Sequence, residues 1–201
     1  MTALFIFLLF AALALPLTAY AAKNILVFGD SLSAGYGIPV EKSWVDLMKQ
    51  DLKSSHSNYS IVNASISGET ALGGKQRIAR VLKLNRPAIV IVELGANDGL
   101  RGFSTVDIES SLAAIIVQAQ RARAKVLLVG MRLPPNYGEA YVTQFQNLYP
   151  RLAKKHHIRL VPFMLEGVTA DQFQSDNLHP AAAAQPYIMH NVLYELKPLL
   201  Q

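Results

Sequence analysis

The 201-residue sequence contains no cysteine. That excludes disulfide scaffolds, thiolate zinc sites, thiol nucleophiles and the lipidated cysteine of a lipoprotein. It leaves the redox compartment open, because a domain of this size folds without disulfides in an oxidising compartment too. Charge is sparse: charged residues make up 16% of the chain against 51% hydrophobic residues, a balance that excludes intrinsic disorder. Glycine (12) and proline (10) are at ordinary levels, so the chain is neither collagen-like nor of low complexity. The excess of positive charge is only +5, which suits anionic ligands without marking a nucleic-acid binder. No repeat, linker or second domain is visible. The length suits one domain with a sizeable core.

The first segment is set apart from the rest. Ala3 to Leu15 is entirely apolar, ends at Pro16 and is followed by Ala19-Tyr20-Ala21. A run too short to span a bilayer comfortably, followed by an Ala-x-Ala site, reads as a secretory signal peptide. Cleavage after Ala21 leaves residues 22–201 as the mature domain and places it in the periplasm or outside the cell. No Lys or Arg precedes the apolar run, and an uncleaved membrane anchor is the alternative. No later run is long and apolar enough to cross a membrane.

Five short runs rich in Val and Ile predict strands: Ile25–Phe28, around Ile61–Val62, Ile89–Val92, Val126–Val129 and Ile158–Val161. Several lack polar alternation, as strands covered on both faces do. Helical patterns lie between them. Ser43-x-x-Asp46 reads as a capping box ahead of Trp44, Leu47, Met48 and Leu52, and Ser104-x-x-Asp107 ahead of Ile108, Leu112, Ile115, Ile116 and Ala119. A last helix is predicted to open at Pro180, with Ala184, Ile188, Val192 and Leu196 as its stripe and Pro198 at its end. Alternation of this kind predicts a three-layer α/β/α sandwich. Its sheet is five-stranded and parallel, with the flavodoxin-like order 2-1-3-4-5.

Ligands of such sheets bind outside the carboxyl ends of the strands. The loops there hold Gly29-Asp30-Ser31-Leu32-Ser33, Asn63 to Glu69 with Gly68, Gly95-Ala96-Asn97-Asp98-Gly99, and Asp176-Asn177-Leu178-His179-Pro180. Acyl transfer needs these residue types. A serine hydroxyl becomes a nucleophile when a base takes its proton, and His179 is a candidate base for Ser31. Asp176, three residues earlier, is spaced to accept from Nδ1–H and leave Nε2 free. A helix opening at Pro180 places its positive end near the imidazole, which Asp176 offsets. The Ser31 N–H, the Gly68 N–H and the Asn97 side-chain NH₂ are candidate donors for an oxyanion. Each signal alone is a common turn or cap; their convergence on one sheet edge carries the reading.

These four blocks resemble those of the SGNH (GDSL) hydrolases. The strings NASISGE, VELGANDGLRGF, RLPPNYG and QPYI are similar to the periplasmic branch of acyl-CoA thioesterases, lysophospholipases and arylesterases. The likeness runs from about Asn24 to Leu196. It implies Ser31 as nucleophile, His179 as base, Asp176 as its orienter, and an oxyanion hole of Ser31, Gly68 and Asn97. It implies no cofactor and no metal. It also implies a substrate loop over the acyl chain at Gly99, Leu100, Arg101, Gly102 and Phe103. Pro135, Tyr137 and Tyr141 are placed beside the acyl groove. Ala96 stands where the branch often has Gly, and the loop between strands two and three reads as longer around Gly73–Gly74.

Other chemistries lack their residues. Position 33 is Ser, so no Gly-x-Ser-x-Gly elbow forms at Ser31. Gly73-Gly74-Lys75 is followed by Gln76 and is no phosphate-binding loop. The expected substrate is a small acyl ester or thioester, with no nucleic acid, no stable membrane insertion after cleavage, and no need of more than a monomer. A carbohydrate O-deacetylase on the same scaffold and a non-catalytic lipid carrier are the alternatives.

Overall fold

The computed structural model describes residues 23–56 and 58–200. The proposed signal peptide, residues 1–21, lies outside them. The strands are β1 (Lys23–Gly29), β2 (Tyr59–Asn63), β3 (Ile89–Glu93), β4 (Lys125–Val129) and β5 (Arg159–Val161). The helices are α1 (Ser31–Ala34), α2 (Trp44–Ser55), α3 (Ala71–Asn85), α4 (Ala96–Leu100), α5 (Thr105–Arg121), α6 (Glu139–His156) and α7 (Gln185–Leu196). All strand pairs are parallel, in the order β2-β1-β3-β4-β5, as the sequence predicts.

The order dictates the layers. The step from β1 to β2 runs one way along the sheet, and every later step runs the other way. Right-handed crossovers then put α2 on one face and α3, α5 and α6 on the other. The packing agrees: α3 lies beside α5, α5 beside α6, and α2 against α7. With both faces covered, β3 is buried at every position, its terminal Glu93 included.

Four local expectations change. The last helix begins at Gln185, not Pro180. Pro180 instead pairs with Phe173 in an antiparallel bridge, and Ala182–Ala184 forms a short 3₁₀ turn. The stripe Ala184, Ile188, Val192 and Leu196 is nevertheless fully buried, because its spacing holds wherever the first turn begins. Ser43 caps α2 by accepting the Asp46 N–H, whereas Ser104 stands at the start of α5 without a side-chain cap. On α2 it is Val45, with Trp44, Met48 and Leu52, that is buried, and Leu47 is half-buried. Gly73 and Gly74 belong to α3 and not to a longer loop. Gly74 sits where a side chain would strike Leu94 Cδ1 at 2.6 Å, so it sets how closely α3 approaches the sheet.

Candidate active site

The carboxyl ends of β1, β2 and β3 carry the candidate residues. Asp30 caps α1, its Oδ1 accepting the Leu32 N–H at 3.0 Å, and Ser31 opens that helix. The β2 loop is tied to this turn: Ser65 Oγ accepts the Gly29 N–H, the Ile66 N–H donates to the Gly29 carbonyl, and Asn63 Nδ2 donates to the Ser33 carbonyl. Ser31 is thereby fixed at the rim of the sheet with only 9% of its surface exposed.

His179 comes from the far end of the chain. Its Nε2 lies 2.9 Å from Ser31 Oγ, and its Nδ1 lies 2.7 Å from Asp176 Oδ2. Asp176 Oδ1 accepts the backbone N–H groups of Leu178 and His179, both at 2.9 Å. These two backbone bonds and the imidazole hold the Asp176 carboxyl down to about 2, although the residue is exposed. A carboxylate so placed keeps the proton on Nδ1 and leaves the Nε2 lone pair to the serine.

No helix terminus presents the imidazole. The segment is a closed loop: the Gln174 N–H donates to the His179 carbonyl, and the Ala181 N–H donates to the Gln172 carbonyl. Asn177 makes the turn in the left-handed region at φ 55°. Gln185, buried at the start of α7, pins the other end. Its Oε1 accepts the Trp44 N–H, and its Nε2 donates to the carbonyls of Pro180 and Ala181. The Tyr36 ring lies 4.6 Å from the imidazole, tilted by 42°.

Asn97 lies in α4, which Gly95 starts at φ 111°. Its Nδ2 donates to Asp30 Oδ2 at 3.0 Å and to the Glu69 carbonyl at 3.1 Å. Gly68 adopts φ 79° with open space where a side chain would stand, the left-handed geometry that glycine accepts readily. Arg77, stacked on Phe28 at 4.0 Å, ion-pairs with Glu69 and anchors this loop. Among the described residues, neither the Ser31 N–H nor the Gly68 N–H donates to another protein group. No three His, Asp or Glu side chains among the described residues gather as metal ligands.

A cavity of about 340 Å³ opens beside these groups and is lined by Ser31, Asn97 and His179. Its apolar wall is built by Leu32, Leu100, Met131, Leu133, Phe163 and Phe173. Of the residues expected along the acyl chain, only Leu100 lines it; Gly99, Arg101, Gly102, Phe103, Pro135 and Tyr137 do not. The Tyr137 hydroxyl donates to the Leu100 carbonyl at 3.1 Å. The Tyr141 hydroxyl donates to the Phe103 carbonyl at 2.6 Å. The two tyrosines strap the 99–103 segment from outside. Arg101 donates to the Gly68 carbonyl, and Phe103 faces a separate hollow beside α5. The Pro134 ring reaches the cavity where Pro135 does not.

Sequence reading missed the wall formed by Met131, Phe163 and Phe173, since single apolar residues in loops carry no periodic signal. It also missed Glu93. A carboxyl ending an otherwise unbroken apolar strand was a visible anomaly.

The profile of the GDSL-like Lipase/Acylhydrolase family matches residues 27–185. The chain is 45% identical over 191 residues to esterase TesA of Pseudomonas aeruginosa, covering 94% of this chain and 95% of that protein. It is 42% identical over 188 residues to thioesterase 1/protease 1/lysophospholipase L1 of Escherichia coli, covering 92% and 89%. A crystal structure of a protein named TesA superposes with a TM-score of 0.86 at 44% identity, covering 89% of this chain and all of that one. The chain belongs to the GDSL-like Lipase/Acylhydrolase family.

Proposed function

We propose that the protein hydrolyses acyl esters and thioesters through an acyl-enzyme on Ser31. One observation carries this: the continuous line from Ser31 Oγ to His179 Nε2 (2.9 Å) and from His179 Nδ1 to Asp176 Oδ2 (2.7 Å), at the mouth of an apolar cavity. Ser31 Oγ bonds to the acyl carbon as its proton moves to His179 Nε2. The carbonyl oxygen becomes an oxyanion, held by the Ser31 and Gly68 N–H groups and by the Asn97 NH₂, which turns one hydrogen from the Glu69 carbonyl to it. Collapse breaks the bond to the alcohol or thiol, which leaves with the proton from His179. Water then repeats the sequence, releasing the acid and restoring Ser31.

The cavity wall supports an acyl chain as the substrate's recognised part, over the acetyl group and polar groove of a carbohydrate deacetylase. The relatives named esterase and thioesterase support both leaving-group classes. All of these groups come from one chain, so a monomer carries a complete site. Among the described residues no helix is long and apolar enough to cross a membrane. The leader read over residues 1–21 supports export to the periplasm, and amino-terminal sequencing of the exported protein is expected to begin at Ala22.

The function is tested with a chromogenic ester series and an organophosphonate on one preparation. The expected result is turnover that improves with chain length beyond acetyl, lost in step with modification of Ser31. Acetyl-only turnover would favour the deacetylase. Binding without turnover would favour a carrier, and labelling at Ser33, Ser65 or Ser67 instead of Ser31 would move the nucleophile.

A further inference from the structure

Glu93 ends β3 with no exposure, and the proposed reaction does not use it. Its Oε2 accepts the Asp30 N–H at 3.2 Å and the Ser33 hydroxyl at 2.7 Å. Its Oε1 is buried and meets no donor. The remaining partner of this carboxyl is another acid, the side chain of Asp30. Two carboxylates repel, whereas a carboxylic acid and a carboxylate share one proton. A proton on the Glu93 carboxyl, shared with Asp30, removes the repulsion and leaves one negative charge on the pair. The packing is committed to this carboxyl: a Cβ on Gly29 would lie 2.5 Å from Glu93 Oε2 and 2.7 Å from Ser33 Oγ. The glycine ahead of Asp30 and Ser31 makes room for the acid.

The pair leads to the reacting centre, because Asp30 Oδ2 accepts from the Asn97 amide at 3.0 Å. We infer that Glu93 is a positioning residue: a neutral acid that holds Asp30, and through Asp30 orients the Asn97 amide and limits the charge behind the oxyanion to a single negative. This rests on the reading of Asn97 as an oxyanion donor. Burial pushes Asp30 up to about 6 and holds Glu93 well above the usual carboxylate range, with the Asp30 charge adding to the effect. The other titratable groups around the pair are His179 from the loop after β5, Tyr149 from α6 and Asp98 from α4. Tyr149 is fully buried, raised well above its ordinary value by that burial, and stays a phenol. Arg101 acts on Asp98, and Arg77 from α3 is committed to Glu69.

Two substitutions separate the acid from the mere side chain. Glu93→Gln keeps the shape, the neutrality and a donor toward Asp30; Glu93→Ala keeps none of them. Removing an oxyanion donor costs about 10²–10³ in kcat, so misorienting it is expected to cost about ten- to a hundredfold in Glu93→Ala, with KM within a few-fold. Glu93→Gln is expected to stay within a few-fold of wild type. In an Asn97→Ala background, itself slowed about 10²–10³-fold, Glu93→Ala is expected to cost nothing further. A readout independent of turnover follows from the proton. A carboxyl raised in the folded state contributes stability that is present below its unfolded pKa and lost as pH rises through its folded pKa. As pH rises above the ordinary carboxylate range toward the raised value of Glu93, the folding equilibrium constant of wild type is therefore expected to fall by up to about tenfold per pH unit relative to Glu93→Gln. Equal pH dependence in the two proteins, Glu93→Gln as slow as Glu93→Ala, or additive losses with Asn97→Ala would each overturn the inference. Glu93→Gln and the pH dependence decide it if Glu93→Ala does not fold. Failure of the underlying reading looks different: the phosphonate leaves Ser31 unmodified, or Asn97→Ala alone keeps its kcat, while the stability arm still reports the proton.

Discussion

Ser31→Ala and His179→Ala are each expected to lower kcat by about 10⁶-fold, and the double substitution is expected to be no slower than either single one. The reason is the geometry of one proton. Ser31 Oγ is 2.9 Å from His179 Nε2. Without the imidazole the hydroxyl has no acceptor as its oxygen bonds to carbon, and without the hydroxyl the imidazole has nothing to activate. The two groups act as a unit, so their losses do not add. Turnover well above the uncatalysed rate is expected to survive in all three proteins, because oxyanion donors and cavity remain. Melting temperature and substrate affinity, measured on the same preparations, are expected to change little, since Ser31 and His179 lie at the rim of the core. A loss in the double variant equal to the product of the single losses would mean that the residues act separately. A His179→Ala protein within a few-fold of wild type would remove the histidine from the reaction.

Asp176→Asn is expected to lower kcat by about 10⁴-fold and to be the more damaging of two substitutions at that position. Asp176 Oδ1 accepts two backbone N–H groups, so an asparagine carbonyl oxygen takes that place. The amide NH₂ then falls where Oδ2 now meets His179 Nδ1 at 2.7 Å. A donor there forces the proton onto Nε2, the nitrogen that must accept from Ser31. The neutral ring is held in the wrong tautomer. Asp176→Ala leaves an exposed gap that water fills, and water accepts the Nδ1–H without fixing the ring. A smaller loss is expected for it than for Asp176→Asn. Kinetics of both variants across the histidine titration range check this ordering; an alanine variant slower than the asparagine variant would show that the carboxylate charge outweighs the tautomer.

The sheet order and the Ser31, His179 and Asp176 grouping were legible from residues alone. A strand covered on both faces writes itself as an apolar run, as Ile89 to Val92 does, and alternation of such runs with helical stripes admits few topologies. Parallel strands then bring every following loop to one edge, so motifs far apart in sequence become neighbours without any knowledge of side-chain packing. The Asp176-x-x-His179 spacing is local, and a turn of the backbone satisfies it. Tertiary structure decided the rest. Pro180 ended up in a bridge with Phe173 instead of opening a helix, because Gln185 ties its carbonyl to α2 through Trp44. Tyr137 and Tyr141 became straps outside the 99–103 segment, since their hydroxyls found the carbonyls of Leu100 and Phe103. The cavity wall came from Met131, Phe163 and Phe173, side chains on two separate connections, β4 to α6 and β5 to α7, that converge only after folding. Glu93 is the clearest case. One charged letter closing an apolar strand carries no sign of what it meets; burial beside Asp30 raises its pKa, and it is Asp30, held by Glu93, that accepts from Asn97. Pattern and spacing are properties of the chain, whereas the partner of a buried polar atom is a property of the packed molecule.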